Sequence, residues 1–387
     1  MKGSMRRRGA RSWELKFDLG KDAATDTRRI QYHSFRGTKR EAQAKLSELL
    51  VAVGRGDYVE PSKLTVADHL RARVAQWAAS GTIGGRSTEH YGQLVETAII
   101  PYLGTISLQR LKPFDIERWH TTLQTSGRRR RVGGLNPRTI QQAHSILDKA
   151  LREAEKNGLI AKNVCRVQTP PKMVKKESAI LTPDQIKLVM ERLRGRTLYP
   201  IVVTALFSGL RRGELLALRW ANVNLDGGKL KVVEALEQLA DGSMNLKQPK
   251  TKAGRREVTL PDVVIETLRE HRRRQLELRL QLGLGRMPED ALLFPVLDGS
   301  PRSLRAVSKE WEIFAAANGI RAVTLHGLRH THASQLIHEG VDIVTISTRL
   351  GHSSPAITLG VYAHLFQTSD AKAAAAINAA FGGGKSV

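Results

Sequence analysis

Leu325-His-Gly-Leu-Arg-His-Thr-His332 is the stretch from which the rest of the chain can be read. His326 and Arg329 stand three apart, the spacing of one helix face, and Leu328, Ala333, Leu336 and Ile337 supply apolar positions to pack that helix. An imidazole beside a guanidinium can hydrogen-bond a phosphodiester and neutralise its charge. His330 and His332 fall on the other faces. His326 and His330 also have the i, i+4 spacing that binds zinc. No Glu lies between them and no acidic third ligand is near, so the metal reading is the weaker one.

Two further boxes complete the pattern. Upstream, Ser208-Gly-Leu-Arg-Arg-Gly-Glu-Leu215 follows an apolar helix at Ile201 to Phe207 and opens a second helical run, Glu214 to Trp220. Arg211 at that junction can fork onto two phosphate oxygens, with Glu214 three residues on to hold it. An ordinary Arg–Glu surface pair is the bland alternative, and Arg212, being adjacent, must point elsewhere. Downstream, Leu350-Gly-His352 ends a helix with a Gly that projects His352 from the corner. Leu359-Gly-Val-Tyr-Ala363 then brings Tyr362. A lone Tyr on an apolar helix is commonly a packing residue. Following two guanidiniums and two imidazoles, it is a candidate nucleophile.

The 387 residues exceed one ordinary core, so two or three domains are expected. Lys+Arg total 62 against 37 Asp+Glu, a net charge of +25, which favours polyanionic partners and salt-dependent nucleic-acid binding. Charge alone leaves RNA or an anionic membrane as alternatives. A single cysteine, Cys165, excludes an intramolecular disulfide framework and a cysteine zinc site. No signal peptide or membrane-spanning run is read, so a cytoplasmic location is expected.

The expected fold is mainly α and multi-domain. Residues 1–60 read as a small module of strands plus a helix: Trp13, Leu15 and Phe17 alternate, Ile30 to Phe35 is extended, Gly20 to Asp26 turns between them, and Thr38 with Glu41 forms a capping box. Arg28, Arg29 and Arg36 make its surface basic, as a groove reader or simply as a solvated face. Residues 64–168 read as a four-helix domain, with Arg129 and Arg130 in a basic loop. Residues 169–177 form a Pro-Pro linker carrying Lys175 and Lys176. Residues 178–387 read as a mainly helical domain opened by the Thr182–Gln185 capping box, with a small antiparallel sheet between Lys229 and Leu260.

The three boxes together resemble those of the tyrosine recombinases, the phage-integrase family, over about residues 178 to 375. The resemblance implies a site-specific DNA recombinase, the integrase or excisionase of a phage or integrative mobile element, working through a 3′-phosphotyrosine without metal, ATP or other cofactor. It implies Tyr362 as nucleophile, Arg211 and Arg329 clamping the phosphate, and His326 and His352 hydrogen-bonding it. A hairpin lysine would protonate the leaving 5′ oxygen. Lys250 fits best, and Lys252 is the rival. Residues 64–168 resemble the core-binding domain and residues 1–60 the arm-site DNA-binding module. The partners implied are double-stranded DNA attachment sites (core and arm) and a homotetramer on DNA, with a host DNA-bending protein or directionality factor as accessories. The tail from Phe366 through Asp370–Phe381 could dock on a neighbouring protomer or cap its own domain. A type IB topoisomerase and a non-catalytic repressor are the rival readings.

Overall fold

The structure is a computed structural model that describes residues 3–21, 26–55, 58–128, 131–173, 179–249, 252–365, 374, 377–379 and 381. The chain divides into two compact units, Met1–Val174 and Lys175–Val387. Among the described residues no helix is long and apolar enough to cross a membrane.

The first unit begins with an antiparallel sheet in the order β1 (Gly3–Gly9), β2 (Ser12–Lys21), β3 (Arg28–Arg36). Alternation along β2 turns Leu15 and Phe17 inward, where Ala42 and Leu46 of α1 (Lys39–Arg55) cover them. The basic start of the chain is itself a strand, with Met5 opposite Leu15. Thr38 N donates to Glu41 Oε2 at 2.7 Å and Glu41 N to Thr38 Oγ1 at 3.3 Å, so the capping box opens α1. On β3, Arg28 faces Asp18 at 3.7 Å, Arg29 is paired with Glu60, and Arg36 is exposed. Ile30 and Tyr32 are also exposed.

A helical core follows in the same unit, built from α2 (Val66–Ala79), α3 (Gly85–Leu94), α4 (Ile100–Leu103), α5 (Pro113–Ser126) and α6 (Pro137–Lys156). A π turn, Val95–Ile99, joins α3 to α4. Pro101 falls in the first turn of α4. Trp77 and Trp119 anchor the core, their indole N–H groups donating to Glu153 Oε1 at 2.8 Å and Ala98 O at 2.7 Å. Phe114, in the first turn of α5, points outward and lies under the Arg118 guanidinium. Arg129 and Arg130 lie outside the described residues, as do Lys175 and Lys176.

The second unit is organised around α8 (Tyr199–Ser208), buried from Pro200 to Leu206 and again at Ser208, as its all-round apolar sequence requires. It is preceded by α7 (Pro183–Leu193), capped by Thr182 and Gln185 as read from sequence, and followed by the short α9 (Arg212–Leu216). The helical run expected to reach Trp220 stops at Leu216, and a 3₁₀ turn takes Trp220–Asn222. Two sheets then form, one of β4 (Val223–Asn224), β5 (Lys229–Val232) and β8 (Arg256–Thr259), the other the hairpin β6 (Ala235–Gln238) and β7 (Met244–Lys247). Leu230 opposes Val258 inside. Five further helices follow among the described residues: α10 (Asp262–Gln281), α11 (Leu304–Ala317), α12 (Gly327–His338), α13 (Ile343–Leu350) and α14 (Pro355–Tyr362). The last three enclose a small core of their own, Ala333, Ile337, Ile346, Leu350 and Tyr362. The tail beyond Leu365 lies almost wholly outside the described residues.

Candidate active site

Every helix ends with carbonyls that have no partner inside the helix. At the end of α13, Gly351 adopts the left-handed conformation (φ 67°), and Gly351 N and His352 N turn back to Thr348 O and Ser347 O, both at 3.0 Å. Three successive carbonyls there each accept from a different guanidinium. Arg256 Nε donates to Arg349 O at 2.7 Å, Arg329 Nη2 to Leu350 O at 2.8 Å, and Arg211 Nη2 to Gly351 O at 2.9 Å. Arg329 Nη1 also donates to the carbonyl of Gly209, the residue that caps the end of α8, at 2.6 Å. The negative ends of two helices thereby gather cations from α12, β8 and the start of α9. Gly351 has to be glycine on both counts, since a Cβ would meet Arg256 Nη1 at 2.6 Å and Ala253 O at 2.9 Å.

A buried carboxylate balances this cluster. Glu214 accepts from Arg211 Nη1 at 2.8 Å and Arg211 N at 3.0 Å, closing a capping box on α9, and from Arg256 Nη2 at 2.9 Å. Burial alone would push its carboxyl up, but Arg256 and then Arg211 hold it below the usual range. Arg329 is buried, and that burial, with Arg211 beside it, brings the guanidinium down to about 9, still cationic at neutral pH. Arg211 keeps 39% of its side chain exposed and is thus the cation open to a ligand. Arg212 turns away to Ser308 Oγ at 2.5 Å, as adjacency requires.

The imidazoles close the site. His326 is the residue capping α12 rather than a position within it. Its ring stands edge-on to His330, centroids 5.0 Å apart. Although the residue is exposed, its ring is pushed down by the packing around it first, then by His330, Arg329, Arg211 and Arg212. His352 is held through Nδ1 by Thr358 Oγ1 at 2.7 Å and is brought to about 4 by burial, with Arg329, Arg211 and Arg256 adding to the effect. His332 faces inward, where its Nε2 accepts from Arg349 Nε at 3.0 Å. Tyr362, 4% exposed at the end of α14, has its hydroxyl 2.7 Å from His330 Nδ1. Burial pushes its phenol up to about 12 against the pull of Arg329.

The structure therefore brings Arg211, His326, Arg329, His352 and Tyr362 into one electrostatically connected cluster. Lys250 lies outside the described residues, and Lys252 opens the 3₁₀ turn Lys252–Gly254 that packs on Gly351. Two members were missed from sequence. Arg256 closes a basic stretch, and only its partners in space distinguish it from Arg255. His330, assigned by periodicity to another face, meets Tyr362 because α14 approaches α12 from that side; its i, i+4 relation to His326 was the available signal. Among the described residues no group of three or more His, Cys, Asp or Glu is arranged to hold a metal ion.

Comparison with known proteins gives a consistent grouping. The sequence profile described as the phage integrase family matches residues 179–369. An integrase of Streptomyces ambofaciens is 30% identical over 365 residues, 90% of this chain and 88% of that protein. A XerC-like tyrosine recombinase of Caldanaerobacter subterraneus subsp. tengcongensis is 26% identical over 392 aligned positions, 96% of this chain and 97% of that protein. Among solved structures, the Tn1549 transposon integrase in complex with a circular intermediate DNA superposes with a TM-score of 0.69 at 19% identity, covering 81% of this chain and 99% of the other, a likeness of fold.

Proposed function

The chain belongs to the phage integrase family and is a tyrosine-type site-specific DNA recombinase, and we propose that Tyr362 is its nucleophile, served by Arg211, Arg329, His326, His352 and Lys250. The phenolic oxygen of Tyr362 attacks the scissile phosphorus, the 5′ oxygen leaves, and a 3′-phosphotyrosine keeps the bond for resealing without ATP. Arg211 and Arg329 neutralise the non-bridging oxygens, whose charge grows in the transition state. In the tautomer whose Nδ1 accepts from the Thr358 hydroxyl, His352 carries its hydrogen on Nε2 and offers it to the phosphate. His326 donates from the open side, and Lys250 gives the leaving oxygen its proton.

The observation that carries this reading is the shared helix end. Arg211 and Arg329 are both hydrogen-bonded to the end of α13, His352 is the next residue, and Tyr362 ends the following helix. Cations fixed before DNA arrives need no reorganisation at the moment of reaction.

The remaining parts are assigned by the same reading. Residues 1–60 are the arm-site module and 64–168 the core-binding domain, joined by the basic linker 169–177 to the catalytic domain 178–387. The face of β3 carrying Arg28, Ile30, Tyr32 and Arg36 is exposed and suits a groove. Arg29, paired with Glu60, is the least available of the arginines named. Arg129, Arg130, Lys175 and Lys176 follow the phosphate chain. Exchange between two duplexes involves four strands and hence four protomers, acting in the cytoplasm on the attachment sites of a phage or mobile element, with a DNA-bending protein or directionality factor as accessory.

A nicked duplex carrying the attachment sequence beside the gene, run on a denaturing gel, tests the nucleophile. The wild-type chain yields a protein–DNA conjugate that survives boiling in detergent, and Tyr362→Phe binds the duplex but yields none. A conjugate formed by Tyr362→Phe would overturn the assignment.

A further inference from the structure

Resting on the reading of Tyr362 as nucleophile, we propose that His330 is its proton acceptor. His330 Nδ1 takes the phenolic proton as Oη bonds to phosphorus, and returns it when the strand is resealed.

Geometry comes first. The Tyr362 hydroxyl and His330 Nδ1 are 2.7 Å apart, with ring centroids 5.6 Å apart and tilted by 59°. A candidate base must reach the proton it abstracts, and the three imidazoles of the site differ on this point. His352 has its Nδ1 engaged by Thr358. His326 faces the His330 ring, and no hydrogen bond joins it to Tyr362 among the described residues. His330 alone of the three touches the attacking oxygen.

The chemistry calls for such a group. A phenol pushed up to about 12 stays protonated at neutral pH and attacks weakly until its proton leaves. Burial, and then Arg329, holds the His330 imidazole below its ordinary value, which favours the neutral ring, and in the tautomer that accepts the phenolic hydrogen Nδ1 has the lone pair and Nε2 the hydrogen. The groups facing His330 are the His326 ring, Arg329, Tyr362 and, electrostatically, His352. In the resting site the phenolic proton is far better held by oxygen than by nitrogen. An arriving phosphodiester brings negative charge, which raises the imidazole's affinity for a proton, and formation of the Oη–P bond lowers that of the phenolic oxygen. Transfer then accompanies bond formation. The Tyr362 O–H bond breaks, Oη–P forms, P–O5′ breaks with its electron pair going to oxygen, and O5′ takes a proton from Lys250. His330 is left as imidazolium and Lys250 as the free amine, the states that the reverse reaction requires.

The test uses His330→Asn in the full-length protein on the nicked attachment duplex. An Asn Oδ1 reaches about where Nδ1 was and can accept the hydrogen bond, but it takes no proton at neutral pH. Cleavage is expected to fall by roughly 10²-fold or more, the contribution typical of a general base, with duplex binding and melting temperature unchanged. Replacing Tyr362 in that variant with a fluorinated tyrosine, whose phenol ionises more easily, restores part of the loss. A substrate with sulfur in place of the bridging 5′ oxygen, which leaves without a proton, rescues Lys250→Ala and leaves His330→Asn impaired. Cleavage by His330→Asn within about threefold of wild type would overturn the proposal, as would a folded, DNA-binding variant that fluorotyrosine fails to rescue. A conjugate from Tyr362→Phe would instead overturn the underlying assignment, so the two failures are distinguishable.

Discussion

Replacing Arg256 with methionine removes a cation whose side chain is 5% exposed, beside a Glu214 that is 4% exposed. The variant loses the bonds to Glu214 Oε2 at 2.9 Å and Oε1 at 3.3 Å, and leaves Arg349 O without the donor that lay 2.7 Å away. Deleting one partner of a buried ion pair costs about 3–5 kcal/mol, because the other charge stays in low dielectric. Glu214 still has Arg211, which points to the lower end of that range. For a cooperative unit of some 200 residues this is a fall in melting temperature of roughly 6–12 °C. Adding Glu214→Leu removes the stranded charge and should bring stability back to within about 1–2 kcal/mol of wild type, the remainder being the lost cap on α9. Cleavage should not return, because Arg211 has lost the carboxylate that orients it. Thermal unfolding and adduct formation, measured on the wild type and the two variants, separate these effects. If Arg256→Met melts with the wild type, or if the double variant melts no higher than the single, the Arg211–Glu214–Arg256 network is not what holds the site.

Two further outcomes follow from the same packing. Gly209→Ala places a Cβ 2.6 Å from His332 Cδ2 and 2.9 Å from Leu350 Cδ2 on a backbone at φ 67°, so denaturant unfolding should show a loss of about 2–5 kcal/mol from conformation and overpacking together. Gly242→Ala, at φ 93° with nothing within 4 Å, should lose only about 1–2 kcal/mol; equal losses would mean that the close approach at Gly209 is unimportant. On acidification, burial holds His120 and His352 at about 4 and His332 at about 3. The unfolded chain therefore binds more protons below about pH 6.5, and stability falls with pH from there. Each of these histidines should take away on the order of 2 kcal/mol by pH 5. Glu214, held low in the folded state, adds its loss as pH drops through its folded value. A stability curve flat from pH 7 to pH 5 would contradict the burial of these imidazoles.

Much of this protein was legible from local sequence, because the physics involved spans only a few residues. A Thr three positions before a Glu or Gln starts α1 and α7 as expected, a Gly after Leu350 ends α13, and an apolar run without a polar face makes α8 the buried helix. The order of Arg211, His326, Arg329, His352 and Tyr362 along the chain was enough to suggest phosphodiester chemistry. Periodicity misled where a neighbour from elsewhere in the chain chose the face: His330 lies against Tyr362.

Side-chain identity and spacing state which groups are present and which helix turns they ride on. Only the folded chain decides that Arg211, Arg256 and Arg329 converge on three consecutive carbonyls, through contacts spanning 140, 93 and 21 residues. Hydrogen bonds of that span depend on where α9, β8, α12 and α13 come to rest, and that is set by packing of the whole second unit rather than by any one segment.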